Sequence, residues 1–526
     1  MKLINKLACL LLALTLTAAA CIAEEQSIED EFWEDDVPVV ETLPGADVNA
    51  GYLASYGSKV NPFLCTDTDM VSIDALVYES LFELDGANKP QALLAESWTK
   101  DGKNWKITIR SGIICHNGIE LVADDVVNSY SLIKRAGSAN PYYGRLSLIS
   151  EMSVESTFVI NVKAKYSGMI TLWALTFPVA QRDTSTSNTP MGTGPFWITR
   201  YTDTHIRLES NPLWWKQASS VQSINFIHYW DIGDELQALN SGEIDMMATR
   251  SATAAITKRL SHITSLDYTT LTYEMLLPNT SGILGDVGLR KAIMYAIDYN
   301  VLINNTYLDM AQQSEVPIFP GSWLYESRSA VYYYSPERAL QYIYDSGWKD
   351  LTGDGKMNKL VSSVLQYIDI EIITYDEATS NIRGNAAEQI QRNLEALGMR
   401  VTVNELTRSE VRNRIKNGNY DLALIAVNLS EVPDMIPLFS EKGSLNFSGQ
   451  HTEYMDEMLA GTVVAQSEDD MISAYSAIQL YITENLPVMG LCFRTGTLLS
   501  TMPLAGMSDT TVFDTYSGIE FLNQGY

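Results

Sequence analysis

The side chains that most often carry enzyme chemistry are present, but their spacing matches no catalytic motif. The sequence contains no GxSxG elbow, no HExxH motif and no glycine-rich nucleotide loop. It has no CxxC pair or Cys/His cluster that would predict a zinc site. The five histidines are scattered and fall in no metal-ligand spacing: His116, His205, His228, His262 and His451. The sequence therefore predicts no catalytic residues, no metal site and no cofactor.

Length and charge narrow the class of protein further. A chain of 526 residues predicts two or more domains. Its 46% apolar and 19% charged residues are typical of a globular protein. The net charge of −28 argues against nucleic acid as a partner, because phosphates would be repelled.

The first twenty residues have the pattern of a signal peptide. Two lysines are followed by a mostly apolar run from Leu7 to Ala20, which is short for a membrane span. Two interpretations of the cleavage are possible. Cys21, which follows three alanines, becomes the lipid-carrying first residue of a lipoprotein, or cleavage after Ala20 or Ala23 releases a secreted protein. Residues 21–43 are strongly acidic and are expected to form a solvated tether.

Strand and helix patterns begin after this tether. A strand is expected around residues 52–60, near the start of the fold. Residues 105–110 (WKITIR) alternate apolar and polar side chains, which predicts a half-buried strand. The run LVADDVV at 121–127 predicts a helix start with acids in its first turn. The pattern of residues 370–404 predicts a strand, a helix and a second strand, and therefore a parallel sheet with a right-handed crossover.

Residues 94–126 match a family pattern in order and spacing. The matching runs are LAESW at 94–98, DG at 101–102, HNG at 116–118 and ADDV at 123–126, and Cys115 stands where the family usually has an aromatic residue. This stretch resembles the family 5 extracellular solute-binding proteins, the oligopeptide and dipeptide receptors of ABC importers. Weaker likenesses at 192–196, 211–215, 288–298 and 446–449 extend the resemblance from about residue 50 to about residue 500.

The resemblance implies an α/β fold of the large, type II periplasmic-binding-protein class, with two lobes that close over a ligand. The expected first lobe comprises 44–68, 190–274 and 485–526, with an extra α/β subdomain at 69–189. The expected second lobe is 275–484, with hinges near 272–276 and 483–487. Cys65 and Cys492 then fall in one lobe, so two alternatives remain: a disulfide between them, or buried free thiols, which include Cys115.

The expected ligand contacts come from the same resemblance. Peptide-binding members carry an Asp, shortly after a strand that begins YD, which pairs with the peptide's amine. Here the strand begins at Tyr420, an ungapped match places Ser430 at the Asp position, and a one-residue shift places Glu431 there. Glu431 is an amine anchor if it points into the cleft, because a buried ammonium needs a carboxylate, and it is not if it points outward. Backbone contacts to a peptide are expected from Ala426, Val427 and Asn428, facing Thr66 and Thr68.

The resulting prediction is a monomeric extracytoplasmic receptor that binds a peptide or other small solute and delivers it to an ABC permease. A lipid on Cys21 would tie it to the membrane. The alternative is a receptor that signals or scavenges through protein contacts without transport.

Overall fold

The computed structural model describes residues 46–55, 57–377, 380–507 and 510–522. The predicted signal peptide, the tether and Cys21 lie outside these ranges. Within them, no helix combines the length and apolar character needed to cross a bilayer.

Strands and helices alternate irregularly along the chain. The strands are β1 (Ala46–Leu53), β2 (Phe82–Leu84), β3 (Pro90–Ala92), β4 (Ala95–Asp101), β5 (Asn104–Ile109), β6 (Ile149–Ser156), β7 (Val159–Ala164), β8 (Phe196–Tyr201), β9 (His205–Ser210), β10 (Val221–Tyr229), β11 (Met246–Thr249), β12 (Thr264–Pro278), β13 (Ala311–Gln313), β14 (Asn358–Val361), β15 (Val364–Tyr367), β16 (Asp369–Tyr375), β17 (Arg400–Leu406), β18 (Leu422–Asn428) and β19 (Met489–Ser500). The α-helices are α1 (Val71–Ala75), α2 (Ala123–Ala136), α3 (Ile232–Ser241), α4 (Ala254–Thr257), α5 (Val287–Ala296), α6 (Tyr299–Val301), α7 (Pro336–Asp345), α8 (Ile382–Glu395), α9 (Arg408–Lys416), α10 (Ile436–Phe439), α11 (Glu453–Val464) and α12 (Glu468–Asn485).

A large mixed sheet connects the two halves of the molecule. In the described part of the chain it has eleven strands, in the order β17-β16-β18-β12-β19-β11-β1-β10-β9-β8, with β13 also paired to β19. The long strands β12 and β19 lie in the middle and run antiparallel from Thr264 opposite Ser500 to Leu276 opposite Met489. Strands from residues 46–249 lie on one side of this pair, and strands from residues 369–428 lie on the other. The predicted hinge at 272–276 falls within β12, and the one at 483–487 falls just before β19.

A smaller antiparallel sheet forms from residues 95–164, in the order β4-β5-β7-β6. In β5, Trp105, Ile107 and Ile109 are buried in alternation with more exposed residues, as the sequence pattern predicts. The predicted helix start is also confirmed, since α2 carries Asp124 and Asp125 in its first turn.

The predicted strand–helix–strand unit is confirmed as β16, α8 and β17. β16 and β17 pair in parallel from Asp369 opposite Arg400 to Tyr375 opposite Leu406. The predicted strand at 52–60 is wrong in position, because β1 ends at Leu53.

The three described cysteines are buried and free, so the disulfide alternative is wrong. Cys65 packs in the large core cluster, where its thiol lies 3.2 Å from the carbonyl oxygen of Asp67. Cys492 packs in a separate core cluster, built mainly from residues 276–424. Because the two side chains belong to different cores, each is a small apolar residue in its own packing environment.

A buried ion pair joins the central strands to α8. Glu274 in β12 has a fully buried side chain and accepts hydrogen bonds from Arg383 at 2.9 and 3.0 Å and from Arg494 of β19 at 2.8 Å. Burial alone would raise the pKa of Glu274, but the two guanidinium groups outweigh burial and lower the pKa. A carboxylate held charged in this way stabilises the fold above its unfolded-state pKa, and the stabilisation is lost as the pH falls.

We expect Glu274→Gln to lower the free energy of unfolding by about 3 kcal/mol near neutral pH, because Arg383 and Arg494 then keep only their longer ion-pair contacts with Glu377, at 3.4 and 3.2 Å. Glu388→Gln is the matched control. Its ion pair with Arg392 is more than half exposed, and its removal should change stability by about 0.5 kcal/mol or less. Urea denaturation measures both values, and equal effects would show that Glu274 does not stabilise the central strands.

A second buried carboxylate has no charged partner. Glu235 in α3 is fully buried, and among the described residues neither of its carboxylate oxygens has a hydrogen-bond partner. Gly51 of β1 lies against it, and a Cβ at Gly51 would approach Glu235 Oε1 to 2.8 Å. Burial, followed by the charge of Asp69, raises the pKa of Glu235 to about 8. Glu235 is therefore protonated in the folded protein at neutral pH.

Between its unfolded-state pKa and about 8, the folded protein keeps a proton on Glu235 that the unfolded chain releases. We therefore expect the free energy of unfolding to fall with rising pH, by up to about 1.4 kcal/mol per pH unit from this group. Glu235→Gln should remove this part of the slope, whereas Asp234→Asn, at an exposed position of the same helix, should retain it. Denaturation across the pH range measures the slopes, and identical slopes in wild type and Glu235→Gln would contradict a raised pKa.

Candidate functional site

A cavity of about 630 Å³ lies where the two halves of the molecule meet. Its walls come from the β2–β3 turn, from Arg145 in a short 3₁₀ helix (Tyr143–Leu148), from β12, and from the loops at 317–322, 428–438 and 510–513. Its volume is that of a small-molecule binding site.

The wall of this cavity is mainly apolar. Aromatic and aliphatic side chains from five separate parts of the chain contribute: Leu271, Ile318, Phe319, Leu429, Val432, Met435, Leu438, Leu445, Phe493, Val512 and Phe513. A ligand in this cavity would therefore bury apolar surface, with a few polar groups to orient it.

Two further cavities share walls with this one. A cavity of about 500 Å³ has Arg145, Glu431 and Phe513 in common with it, and a cavity of about 360 Å³ has Tyr268 and Val512 in common. We call the 630, 500 and 360 Å³ cavities the outer, inner and side cavities.

The inner cavity is acidic. Asp514, Glu83 and Glu520 line it, and Lys216 lies 3.7 Å from Glu83. Burial, and then the charges of Glu520 and Glu83, raise the pKa of Asp514 to about 8. Glu79 also lines this cavity, but its carboxylate accepts hydrogen bonds from two tryptophan indoles and a threonine hydroxyl. The inner cavity thus differs in character from the apolar outer cavity.

An ion pair between Arg145 and Glu431 lies on the boundary between the outer and inner cavities. Arg145 Nη2 donates to Glu431 Oε1 at 2.7 Å, and Nε lies against Oε2. Arg145 Nη1 donates to the carbonyl oxygen of Thr176. The two charged side chains are only 9% and 11% exposed, so the pair is almost fully desolvated. Burial raises the pKa of Glu431, and the charge and hydrogen bond of Arg145 offset part of this rise.

The structure brings some of the predicted ligand contacts to the cavities. Glu431 and Asn428 line the outer cavity, and Thr68 lines the side cavity. Glu431 points inward, as the amine-anchor hypothesis requires, but its carboxylate is already paired with Arg145.

The other residues that were predicted to contact the ligand line none of these three cavities. Thr66 is exposed, and Val427 is buried in β18, opposite Tyr273 of β12. Ala426 is half-buried, and its N–H lies 3.4 Å from the Tyr375 hydroxyl. The roles of these residues in ligand binding stay predictions.

Most of the cavity wall was not predicted from the sequence, and Arg145 and Phe513 are the missed residues that bear most on the charge of Glu431. Arg145 lies 286 positions from Glu431 in the chain, so no local pattern connects them. Phe513 approaches the Arg145 guanidinium at 5.7 Å from a loop near the end of the chain. A local spacing rule cannot identify either residue.

No group of three or more His, Cys, Asp or Glu side chains that could hold a metal ion occurs among the described residues. Residues 350–355 (DLTGDG) superficially resemble a calcium loop, but the twelfth position is Val361 where such a loop has Glu, and Asp350 accepts the N–H groups of Gly353 and Gly355. This segment is a turn.

Solved structures share this architecture across most of the chain. A nickel ABC transporter protein from Bacillus halodurans is 20% identical, with a TM-score of 0.75 over 86% of this chain and 95% of that structure. The oligopeptide-binding protein AppA from Bacillus subtilis, in complex with a nonapeptide, is 20% identical, with a TM-score of 0.59 over 90% and 98%. These likenesses confirm the predicted two-lobed α/β fold.

Sequence comparison gives the same grouping. AppA of Bacillus subtilis is 22% identical over 459 residues, which cover 81% of this chain and 82% of AppA. The model of the bacterial extracellular solute-binding proteins, family 5 Middle, matches residues 89–446, well over half of the chain. The protein is therefore an extracytoplasmic binding protein and not an enzyme: it belongs to the bacterial extracellular solute-binding proteins of family 5.

Proposed function

We propose that this protein is the solute receptor of an ABC importer, which binds a peptide or similar small solute in the outer cavity and delivers it to a membrane permease. One observation carries the proposal: the outer cavity takes its walls from both sides of the central β12–β19 pair. A ligand in such a cavity makes its full set of contacts only when the two halves approach each other. Closure around a ligand is a common way to couple binding to a change of shape that a partner can detect.

Contacts outside the cavity also support a movement in which the two lobes close. Gly168 and Met169, in the predicted extra subdomain, donate backbone hydrogen bonds to the carbonyl oxygens of Val463 at 3.1 Å and Ala465 at 2.9 Å. Trp173 and Trp323 stack with ring centroids 6.2 Å apart. These contacts join residues 168–173 to the predicted second lobe, so opening of the lobes would separate them.

The remaining parts of the proposal concern location and assembly. A lipid on Cys21 would hold the protein at the outer face of the cytoplasmic membrane, with residues 21–43 as a tether, and the receptor would act as a monomer. No contact or cavity among the described residues favours the alternative, a receptor that acts through protein contacts without transport.

Native mass spectrometry of protein purified from the exported fraction of its host tests the proposal. We expect a small solute to co-purify and to leave on mild denaturation. Small-angle scattering should then show a larger radius of gyration for the solute-free protein than for the reloaded one. Absence of any co-purifying solute, together with no change of radius when candidate solutes are added, would contradict the receptor function.

Gly168 gives a test of closure itself. A Cβ at this position would approach the backbone oxygen of Val463 to 2.5 Å, so Gly168→Ala should separate the two surfaces and increase the radius of gyration of the loaded protein. Gly461→Ala is the matched control in α11, where an added Cβ meets no atom within 4 Å. This control should leave the radius unchanged and stabilise the helix by about 0.5–1 kcal/mol. An unchanged radius of gyration in Gly168→Ala would show that the contact between Gly168 and Val463 is not part of the closed state.

A further inference from the structure

The Arg145–Glu431 pair occupies the position in the cleft where a ligand cation would otherwise find its counterion. Glu431 lines both the outer and the inner cavity, so it is adjacent to a ligand bound in either one. A buried carboxylate is the natural partner of a ligand ammonium group, because it offsets the loss of hydration of that group. In this protein, the cation is supplied by the chain itself.

We propose that Arg145 is a specificity-determining residue, which neutralises Glu431 and thereby excludes solutes that would bind there through an ammonium group. The inference rests on the proposed receptor function and names its substrate class. The ligand is a largely apolar solute whose group next to Glu431 is uncharged, such as a peptide with a blocked or distant amino terminus.

The contacts of the pair oppose replacement of Arg145 by a ligand cation. Nη2 donates to Oε1 at 2.7 Å, Nε lies beside Oε2 in an ion-pair contact without a hydrogen bond, and Nη1 donates to the carbonyl oxygen of Thr176. The guanidinium also lies 4.9 Å from the ring centre of Tyr142. On the other side, Asn88 Nδ2 lies 3.3 Å from the Glu431 carbonyl oxygen. Both partners are thus held from several directions.

Displacement of Arg145 by a ligand ammonium would be unfavourable. The freed guanidinium has only a 9% exposed side chain, so it would remain buried beside a second positive charge. A neutral ligand group avoids this, because the ion pair stays intact.

Other carboxylates of the outer cavity are also engaged. Asp85 accepts the N–H groups of Ala87 and Lys89, and Asp267 forms an ion pair with Lys258. Asp434 accepts the N–H of Ile436 at 2.9 Å. Of the carboxylates that line the outer cavity, Glu431 and Asp267 are thus paired with cations, and Asp85 and Asp434 accept backbone hydrogen bonds.

Affinity for a matched pair of tripeptides tests the proposal. The probes are tri-leucine and N-acetyl-tri-leucine, which suit the apolar wall and differ in the ammonium group. We expect calorimetric titration near pH 7, below the pKa of the peptide amino group, to show no preference of the wild type for the free amine. Arg145→Met should gain a preference for the free amine of roughly tenfold or more, because the carboxylate of Glu431 becomes available to it.

The double variant Arg145→Met/Glu431→Gln is the control. It removes both charges while keeping similar side-chain volumes, and it should lose the gained preference. Arg145→Gln replaces Arg145→Met if the latter does not fold, as judged by circular dichroism.

The proposal is overturned if the wild type already prefers the free amine, or if the variant that lacks only Arg145 gains no preference for it. A failure of the receptor function would look different, as an absence of any co-purifying solute in the wild type. The two failures can therefore be told apart.

Discussion

The antiparallel pair of β12 and β19 is the constraint on which the rest of the structure depends. These two strands carry the main sheet from one half of the molecule to the other, so every wall of the outer cavity is positioned relative to them. Glu274 and Arg494 connect them through a buried ion pair, and Arg383 ties α8 to the same point. Such a pair contributes little net stability compared with apolar packing, but loss of one partner leaves an unmatched buried charge. The strands are therefore held in a defined register just where the two halves join.

A second buried ion pair, between Arg145 and Glu431, defines the chemistry of the cleft. It lies between a mostly apolar outer cavity and an inner cavity lined by several acids. Because both charges are almost fully buried, they stabilise each other and leave the ligand to bind through shape and apolar contact. The pair also joins the predicted extra subdomain to the predicted second lobe, so closure and ligand selection involve the same two residues.

Much of the fold follows from local patterns in the sequence. The alternation at 105–110 predicts a strand that the structure places at 104–109 as β5, and Ser335 followed by Pro336 is typical of the capped helix start seen at α7. The run at 94–126 identifies the family because many positions agree in order and spacing. The strand at 46–53 is hard to place from the sequence because, besides Val48 and Tyr52, it consists largely of Ala, Asp, Asn and Gly, which are depleted in strands.

The site could be predicted only in part. Glu431 was found because it lies next to a strand with a recognisable start, and the structure does place it in the cavity wall. Its electrostatic state depends on Arg145, which comes from a distant part of the chain, and tertiary contacts of that kind leave no periodic signal. The absence of a bond between Cys65 and Cys492 likewise follows from tertiary structure, because the two thiols pack in different cores.

A crystal structure of the protein with its co-purified solute would test the account most directly. The account predicts a solute in the outer cavity, in contact with both halves of the molecule, with the hydrogen bond from Arg145 to Glu431 intact. A solute whose ammonium group contacts Glu431 in place of Arg145, or one that binds outside the cleft, would contradict it.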